Sequence, residues 1–238
     1  KYTKLFNGEL GLYPHRKLHL DLVNDAKPVH KRPYPVAHSH VDIFKNELEH
    51  LVKLGVLERC GGASEWAAPT FIVPKKDGRA RWVSDFRELN ELIKRKIYPL
   101  PRIMDTLCKC NGCKFFTKLD VSMQCHTFEL DEEFKDLCFI ATPCGNFKCN
   151  RLPMGIEQSP DFAQEIMEDI FCDVDETDVF VNNVGTFSND CQSHLVSLEK
   201  TLKLLEDNGF TVNPLKCEWA VKETDWTGHW LTPTGLKP

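Results

Sequence analysis

Two short β-rich runs joined by a tight turn occur twice in this sequence, and that pattern limits the fold more than any other feature. Thr70-Phe71-Ile72-Val73 and Arg81-Trp82-Val83 flank Lys75-Lys76-Asp77-Gly78-Arg79, with Asp-Gly as the turn signal. Val179-Phe180-Val181 and Val184-Gly185-Thr186-Phe187 flank Asn182-Asn183, a second turn pair. Elsewhere the apolar period is helical. Phe44, Leu48, Leu51 and Leu54 recur after Asp42, which is placed to cap a helix that Gly55 stops. Ser159-Pro160-Asp161 combines an N-cap residue, an early proline and a first-turn acid, and Phe162, Ile166 and Ile170 follow it. Leu195, Leu198, Leu202 and Leu205 mark another helix, which Gly209 ends. Phe115 to Val121 reads as a buried strand that delivers a carboxylate, Asp120, near its end. Asp131 to Asp136 reads as an acidic turn, followed by strands around Cys138–Ala141 and Phe147–Asn150. Hairpins with helices on one side predict an α+β fold, an antiparallel sheet backed by helices.

Residues 1–40 hold four prolines, at 14, 28, 33 and 35, with little periodicity, and are expected to form an extended arm. The formal charge of −5 conceals a strong polarity. Up to Lys118 there are 22 basic and 13 acidic side chains, net +9; the remainder holds 8 and 22, net −14. Such a division joins a part that attracts phosphates to a part suited to cations. No apolar run reaches the ~20 residues of a membrane helix, so no membrane partner is expected. The chain opens on Lys1 and lacks a secretory pattern, which reads as an intracellular fragment, in a cytoplasmic particle or the nucleus. Eleven scattered cysteines do not make a disulfide framework in a chain long enough to bury its own core.

Motifs then fall in a telling order. Ala26-Lys27-Pro28-Val29 and Ser64-Glu65-Trp66-Ala67-Ala68-Pro69 precede the basic hairpin and Val83-Ser84-Asp85-Phe86-Arg87-Glu88-Leu89-Asn90. Leu119-Asp120-Val121, Leu152-Pro153-Met154-Gly155 with Ser159-Pro160, and the 180–183 hairpin follow, then Gly209-Phe210, Asn213-Pro214-Leu215-Lys216-Cys217 and Trp226-Thr227-Gly228-His229. In order and spacing this resembles the reverse transcriptases of gypsy-class LTR retrotransposons and, more distantly, of retroviruses. The resemblance implies the fingers and palm of a right-handed polymerase without its thumb. It implies an arm over 1–40, fingers and the start of the palm over 41–118, and palm over 119–225 with a fingers insertion near 129–150. Primer-grip strands and the start of the thumb would occupy 226–238, with the thumb, connection and RNase H parts of a polyprotein downstream. It also implies two Mg²⁺ ions as cofactors and, as partners, an RNA or DNA primer-template and a dNTP. Asp120 and the Val121 carbonyl match metal ligands. Lys75 or Lys76 and Arg81 match the triphosphate grip, where Arg suits phosphate as a bidentate fork. Met154 and Gly155 match the segment against the template base and nucleotide, and Lys216 matches a lysine that protonates the pyrophosphate leaving group. Trp226, Thr227, Gly228 and His229 match the primer grip, with Thr227 in place of a usual apolar residue.

Two departures bear on activity. The family's turn is Tyr-x-Asp-Asp; here it reads Phe180-Val181-Asn182-Asn183, so Asn182 and Asn183 stand where two catalytic carboxylates belong. Carboxylate charge falls from −3 to −1 opposite two dications, each close charge pair being worth ~4 kcal/mol at an effective dielectric of ~20. Even part of that predicts a rate loss of at least ~10³. Asp178, about 13 Å along the strand from Asn182, is too far to substitute. Cys125 stands where the family carries a bulky aromatic that excludes ribose 2′-hydroxyls. The sequence therefore predicts a crippled or inactive polymerase, with a non-catalytic nucleic-acid-binding module or a decayed copy as alternatives. Simpler readings suffice for the rest. Cys108, Cys110 and Cys113 lack a fourth ligand for zinc. Cys125-His126, read as a strand, would point to opposite faces. His38, His40 and His194 read as surface residues.

Overall fold

The structure, a computed structural model, describes residues 1–62, 64–75 and 80–237. In chain order its elements are α1 (Val41–Lys53), β1 (Leu57–Cys60), β2 (Ala68–Pro74), β3 (Ala80–Ser84), α2 (Arg87–Leu92) and α3 (Ile103–Lys109). Next come β4 (Phe115–Asp120), α4 (Gln124–Thr127), α5 (Glu132–Leu137), β5 (Phe139–Thr142), β6 (Gly145–Cys149) and α6 (Ser159–Phe171). The chain continues with β7 (Thr177–Phe180), β8 (Asn183–Ser188), α7 (Cys191–Asp207), β9 (Glu218–Val221), β10 (Thr224–Trp226), β11 (His229–Thr232) and β12 (Gly235–Lys237). The result is the α+β fold that the hairpin and helix patterns predict. It divides into two units: Lys1–Pro14, Ile97–Gln124 and Pro160–Pro238 form one, and His15–Lys96 with Cys125–Ser159 form the other.

The second unit is built on a five-stranded sheet in the order β1-β6-β5-β2-β3. Its β2–β3 hairpin pairs Val73 with Arg81 and Pro74 with Ala80; the turn residues Asp77-Gly78 and the basic residues Lys76 and Arg79 lie outside the described residues. Alternation puts Trp82 inward, its ring 4.9 Å from Phe44 of α1, and leaves Arg81 exposed. Phe44, Leu48 and Leu51 are the buried face of α1, as their spacing requires, and Gly55 leaves the helix at φ +71°. Asp42 is not the cap: α1 starts one residue earlier, and its carboxylate lies in the first turn, where it favours the helix dipole instead. The segment expected to be an acidic turn is helix α5. Asp131 caps it by accepting from the Phe134 amide at 2.8 Å, and fully buried Phe134 anchors it. Cys125-His126 likewise lies on a helix, α4, and not on a strand.

The first unit holds a four-stranded sheet, β7-β8-β4-β9, and a three-stranded one, β10-β11-β12. Leu107, Cys110, Cys113, Phe116, Phe187, Trp226 and Leu231 form one apolar cluster, so two of the three closely spaced cysteines serve as small core residues. Helix α7 begins at Asp190, whose carboxylate accepts from the Gln192 and Ser193 amides at 2.9 Å. The chain turns away from it at Gly209 (φ +72°), two residues past its end, where a Cβ would lie 1.9 Å from the Leu12 carbonyl oxygen. The face of α7 turned inward is His194, Thr201, Leu202 and Leu205; Leu195 is 54% exposed. His194 is therefore a core residue and not a surface one. Both ring nitrogens are partnered, Nε2 by Thr117 Oγ1 at 2.8 Å and Nδ1 by Ser188 Oγ at 3.2 Å, which makes burial of the ring tolerable. The stripe of α6 is shifted similarly: Ala163, Ile166, Met167 and Phe171 are buried, whereas Phe162 and Ile170 are only half-buried. Residues 1–37 form no helix or strand of their own, but Leu5, Leu18 and Leu20 are buried.

Candidate active site

Strand β4 runs antiparallel to β8 with Phe116 opposite Phe187, Thr117 opposite Thr186, and Asp120 opposite Asn183. Alternation buries Thr117 and Leu119 and leaves Lys118 and Asp120 half-exposed on the other face. Past the strand end, the Val121 amide donates to the Asn182 carbonyl at 2.9 Å and the Asn213 amide to the Asp120 carbonyl at 3.0 Å. These ties bring the backbone of 120–121, the turn and the segment before Pro214–Lys216 together. Four of the predicted residues, Asp120, Asn182, Asn183 and Lys216, thus form one cluster. Lys216 Nζ lies 3.2 and 3.4 Å from the two Asp120 carboxylate oxygens. Asn182 Nδ2 donates to Asp120 Oδ2 at 3.4 Å, and Asn183 Nδ2 to Asn182 Oδ1 at 3.4 Å. The formal charge of the cluster is zero: one carboxylate, one ammonium and two neutral amides.

The turn itself is displaced by one residue from the sequence expectation. Phe180 pairs with Asn183, so Val181 and Asn182 are the two turn residues and Asn183 already belongs to β8. Val181 has φ +52°, a position where a β-branched side chain is strained and Gly is usual. Two buried glutamines hold it. Gln164 Oε1 accepts from the Val181 amide at 2.7 Å while Gln164 Nε2 donates to the Val179 carbonyl at 3.0 Å. Gln124 Nε2 donates to the Val181 carbonyl at 2.9 Å. Sequence reasoning missed both, because a glutamine in a helix carries no local sign that it will meet a distant backbone. Asp178 is occupied elsewhere, 2.7 Å from Lys109 Nζ.

In the second unit, Lys75 and Arg81 are exposed, and Lys76 lies outside the described residues. Met154 is exposed and Gly155 has φ +114°, with a hypothetical Cβ 2.3 Å from the Ser84 carbonyl oxygen, so only glycine fits. Asn90 brackets this segment: Nδ2 donates to the Gly155 carbonyl at 2.9 Å and Oδ1 accepts from the Glu157 amide at 3.0 Å. Burial raises the Cys125 thiol to about 11, and burial followed by the Arg151 charge pushes His126 down to about 4. A thiol held so firmly protonated is no nucleophile. In the first unit, Thr227 (φ +53°) and Gly228 (φ +85°) form the two-residue turn between β10 and β11. Trp226 is buried edge-on to Phe187 at 5.3 Å over Gly185, where a Cβ would approach its ring to 2.8 Å; His229 is exposed.

Whether these side chains suit divalent cations is decided by their chemistry. Mg²⁺ takes hard anionic oxygen, and here one carboxylate is ion-paired to Lys216 while its neighbours are amides. Among the described residues no group of three or more His, Cys, Asp or Glu is placed to hold a metal ion. The residues present do not fit a two-ion centre.

A family model described as "Reverse transcriptase (RNA-dependent DNA polymerase)" matches residues 73–231. The chain is 29% identical over 218 residues to the "Retrovirus-related Pol polyprotein from transposon 297" of Drosophila melanogaster, covering 89% of this chain and 20% of that protein. It is 28% identical over 209 residues to the "Transposon Tf2-7 polyprotein" of Schizosaccharomyces pombe, covering 87% of this chain and 16% of that protein. The chain therefore spans a fifth or less of these curated relatives. Among solved structures, the foamy viral protease-reverse transcriptase in complex with an RNA/DNA hybrid superposes with a TM-score of 0.89 at 21% identity. That match covers 99% of this chain and 32% of the other. The native prototype foamy virus protease-reverse transcriptase gives 0.83 at 24%, covering 94% and 30%. Identities this low establish the fold.

Proposed function

The chain belongs to the reverse transcriptase (RNA-dependent DNA polymerase) family, and from that premise we propose that it is the reverse transcriptase domain of a gypsy-class retroelement polyprotein that has lost catalysis. The observation that carries this reading is the neutral cluster at the end of β4. Asp120 is the carboxylate to which the resemblance assigns metal binding, and Lys216 and Asn182 already occupy it. Asn182 and Asn183 supply amide oxygens and no charge at the two positions where the resemblance calls for carboxylates. Template-directed nucleotidyl transfer needs anionic oxygens to hold Mg²⁺ against the attacking and leaving oxygens, and a neutral site lacks them. Primer extension on an RNA template with Mg²⁺ or Mn²⁺, comparing the chain with Asn182→Asp/Asn183→Asp, tests the reading. The unmodified chain should be slower by at least ~10³. Extension by the unmodified chain within about tenfold of the variant overturns the assignment.

A second reading, a primer-template-binding module without chemistry, is favoured by the second unit. There Lys75 and Arg81 stay exposed on the hairpin, and Asn90 keeps the Met154-Gly155 segment in a conformation only glycine permits. Binding that uses these charges must weaken steeply with salt, with a slope near 0.9 per phosphate contacted on duplex DNA. A flat response in a titration with primer-template over ~50–200 mM salt rules out this module and leaves a decayed copy.

A further inference from the structure

The buried histidine of α7 is held at both ends in a way that fixes where its proton sits. Glu176, just before β7, can only accept, and its Oε2 takes the hydroxyl protons of Ser188 at 2.6 Å and Ser197 at 2.8 Å. Ser188 has no second proton to give, so toward His194 Nδ1, 3.2 Å away, its oxygen can only accept. Nδ1 must therefore carry the imidazole proton, and Nε2 of the neutral ring is a bare acceptor for the Thr117 hydroxyl at 2.8 Å. At the far end the Ala220 amide, which can only donate, gives its proton to the same Thr117 oxygen at 3.0 Å. Every bond in the chain runs one way, from Ala220 to Glu176. Thr117, Ser188 and His194 are each 1% exposed or less, so bulk water cannot replace a broken link.

Ala220 is where this relay has something to hold. Phe116 pairs with Val221 and Lys118 with Glu218, so two residues of β9, Trp219 and Ala220, face the single Thr117 of β4. Ala220 sits at φ +46°, a strained conformation for a residue with a Cβ, and its amide is taken by the Thr117 side chain. Trp219 beside it is 40% exposed and meets Phe6 edge-on at 5.9 Å.

We propose that His194 is the moving part of a proton-sensitive clasp: the neutral ring holds Thr117 and through it the β9 bulge, and a second proton on the ring undoes the hold. A proton arriving at Nε2 turns that acceptor into a donor. It then points at a Thr117 oxygen that already accepts from Ala220, and the Thr117 hydroxyl loses the acceptor it had. Either the hydroxyl rotates or the ring moves, and both free the Ala220 amide. Burial holds the ring below its ordinary value, and Glu176 at the end of the relay offsets only part of this. On the β9 side Lys222 adds positive charge, its Nζ 3.5 Å from the Phe115 ring that lies 6.0 Å from the imidazole. On α7 itself the Asp190 carboxylate is engaged by the Gln192 and Ser193 amides. The clasp is thus closed at neutral pH and opens in acid.

The ring nitrogens and one amide read the clasp directly. In the ¹⁵N-labelled chain at neutral pH, long-range ¹H–¹⁵N correlation should place the His194 proton on Nδ1 and leave Nε2 bare. As pH is lowered until His194 titrates, hydrogen-exchange protection at Ala220, corrected for intrinsic rate, should fall about tenfold or more in step with the ring. Amides in β4 and β8 should stay within about threefold over the same range. Thr117→Val removes the hydroxyl at nearly constant shape and should speed Ala220 exchange by about tenfold or more at every pH, whereas Thr117→Ser should keep the parent's behaviour. A neutral His194 protonated at Nε2, Ala220 protection indifferent to the ring's titration, or β4 and β8 opening together with Ala220 overturns the proposal. All three are read on the unmodified chain, so the test stands even if Thr117→Val does not fold.

Discussion

Placing carboxylates at positions 182 and 183 should make the protein less stable before it makes it more capable. Asp120 and residue 183 are directly opposed across β4 and β8, which sets their Cβ atoms about 4.5–5.5 Å apart. Residue 182 lies beside both, so the variant gathers three carboxylates, and each pair about 5 Å apart repels by about 3 kcal/mol at an effective dielectric of ~20. Lys216, 3.2 Å from the mostly buried Asp120 carboxylate, offsets part of this, and rotation of the two new side chains toward solvent relieves more, leaving a net cost of about 1–2 kcal/mol. For a chain of this size 1 kcal/mol moves the melting midpoint by about 2–4 °C. Asn182→Asp/Asn183→Asp should therefore melt about 2–8 °C below the parent in EDTA. Mn²⁺ reverses the order: at 100 times its Kd a bound ion contributes about 2.7 kcal/mol, roughly 5–10 °C, to the variant. The parent, whose only carboxylate in the cluster is taken by Lys216, should shift by about 1 °C or less. Differential scanning calorimetry in EDTA and after MnCl₂ addition measures both. If the variant melts no lower than the parent in EDTA, or the parent gains as much from Mn²⁺, the electrostatic account of this cluster is wrong.

Gly155→Ala forces a Cβ to 2.3 Å from the Ser84 carbonyl at φ +114° and should cost about 2–4 kcal/mol in urea unfolding, whereas the open Gly112→Ala should cost about 1–2 from its φ alone. His126 is held at about 4 in the folded state against 6.5 unfolded, so stability present above pH 6.5 is lost as pH falls toward 4, by about 1.4 kcal/mol per unit and about 3 in all. His126→Gln should flatten that part of the pH–stability curve, and an unchanged slope between pH 6.5 and 4 refutes the assignment. Exposed Cys108, Cys172 and Cys191 should react with a thiol reagent at once, while buried Cys110, Cys138 and Cys149 should wait for unfolding. Peptide mass mapping after a short pulse distinguishes the two groups.

Where the sequence was readable, the signal was local. The β2–β3 and β7–β8 hairpins, the span of α1 and the glycine stops at 55 and 209 follow from turn chemistry and period, and each lies within a residue or two of expectation. The misreadings share one cause, which is that burial is decided by partners far along the chain. His194 looks polar and unpaired in sequence, yet Thr117 and Ser188 satisfy both its nitrogens and admit it to the core. Asp131 looks like one acid in a solvated run until its carboxylate caps α5 and Phe134 fixes that helix. The candidate site divides in the same way. Asp120, Asn182, Asn183 and Lys216 are named by the family resemblance and do converge, but their mutual neutralisation depends on an Nζ position that no motif encodes.

That neutralisation explains how such a cluster can be stable with a single carboxylate. An active-site array of three acids is a strained feature that an apo protein tolerates only because a cation relieves the repulsion. Replacing two acids with amides removes the strain and lets one lysine satisfy the remaining carboxylate. The buttresses, Gln164 and Gln124 on the turn and Gly185 beneath Trp226, sit in the hydrogen-bonded core and respond to different constraints: losing any of them leaves buried backbone groups unpaired or rings in collision. Charge at the cluster can therefore be lost at no cost to folding, whereas the frame that would position it cannot. Substitutions at 182 and 183 should be nearly neutral for stability among uncharged residues of similar size, and substitutions at 124, 164 and 185 should not. A series of Asn183→Ser, Asn183→Thr and Asn183→Gln against Gln164→Ala and Gly185→Ala, read by urea midpoints, separates them: the first set should lie within about 0.5–1 kcal/mol of the parent and the second beyond about 2. Comparable losses in both sets would show that the cluster still carries structural weight.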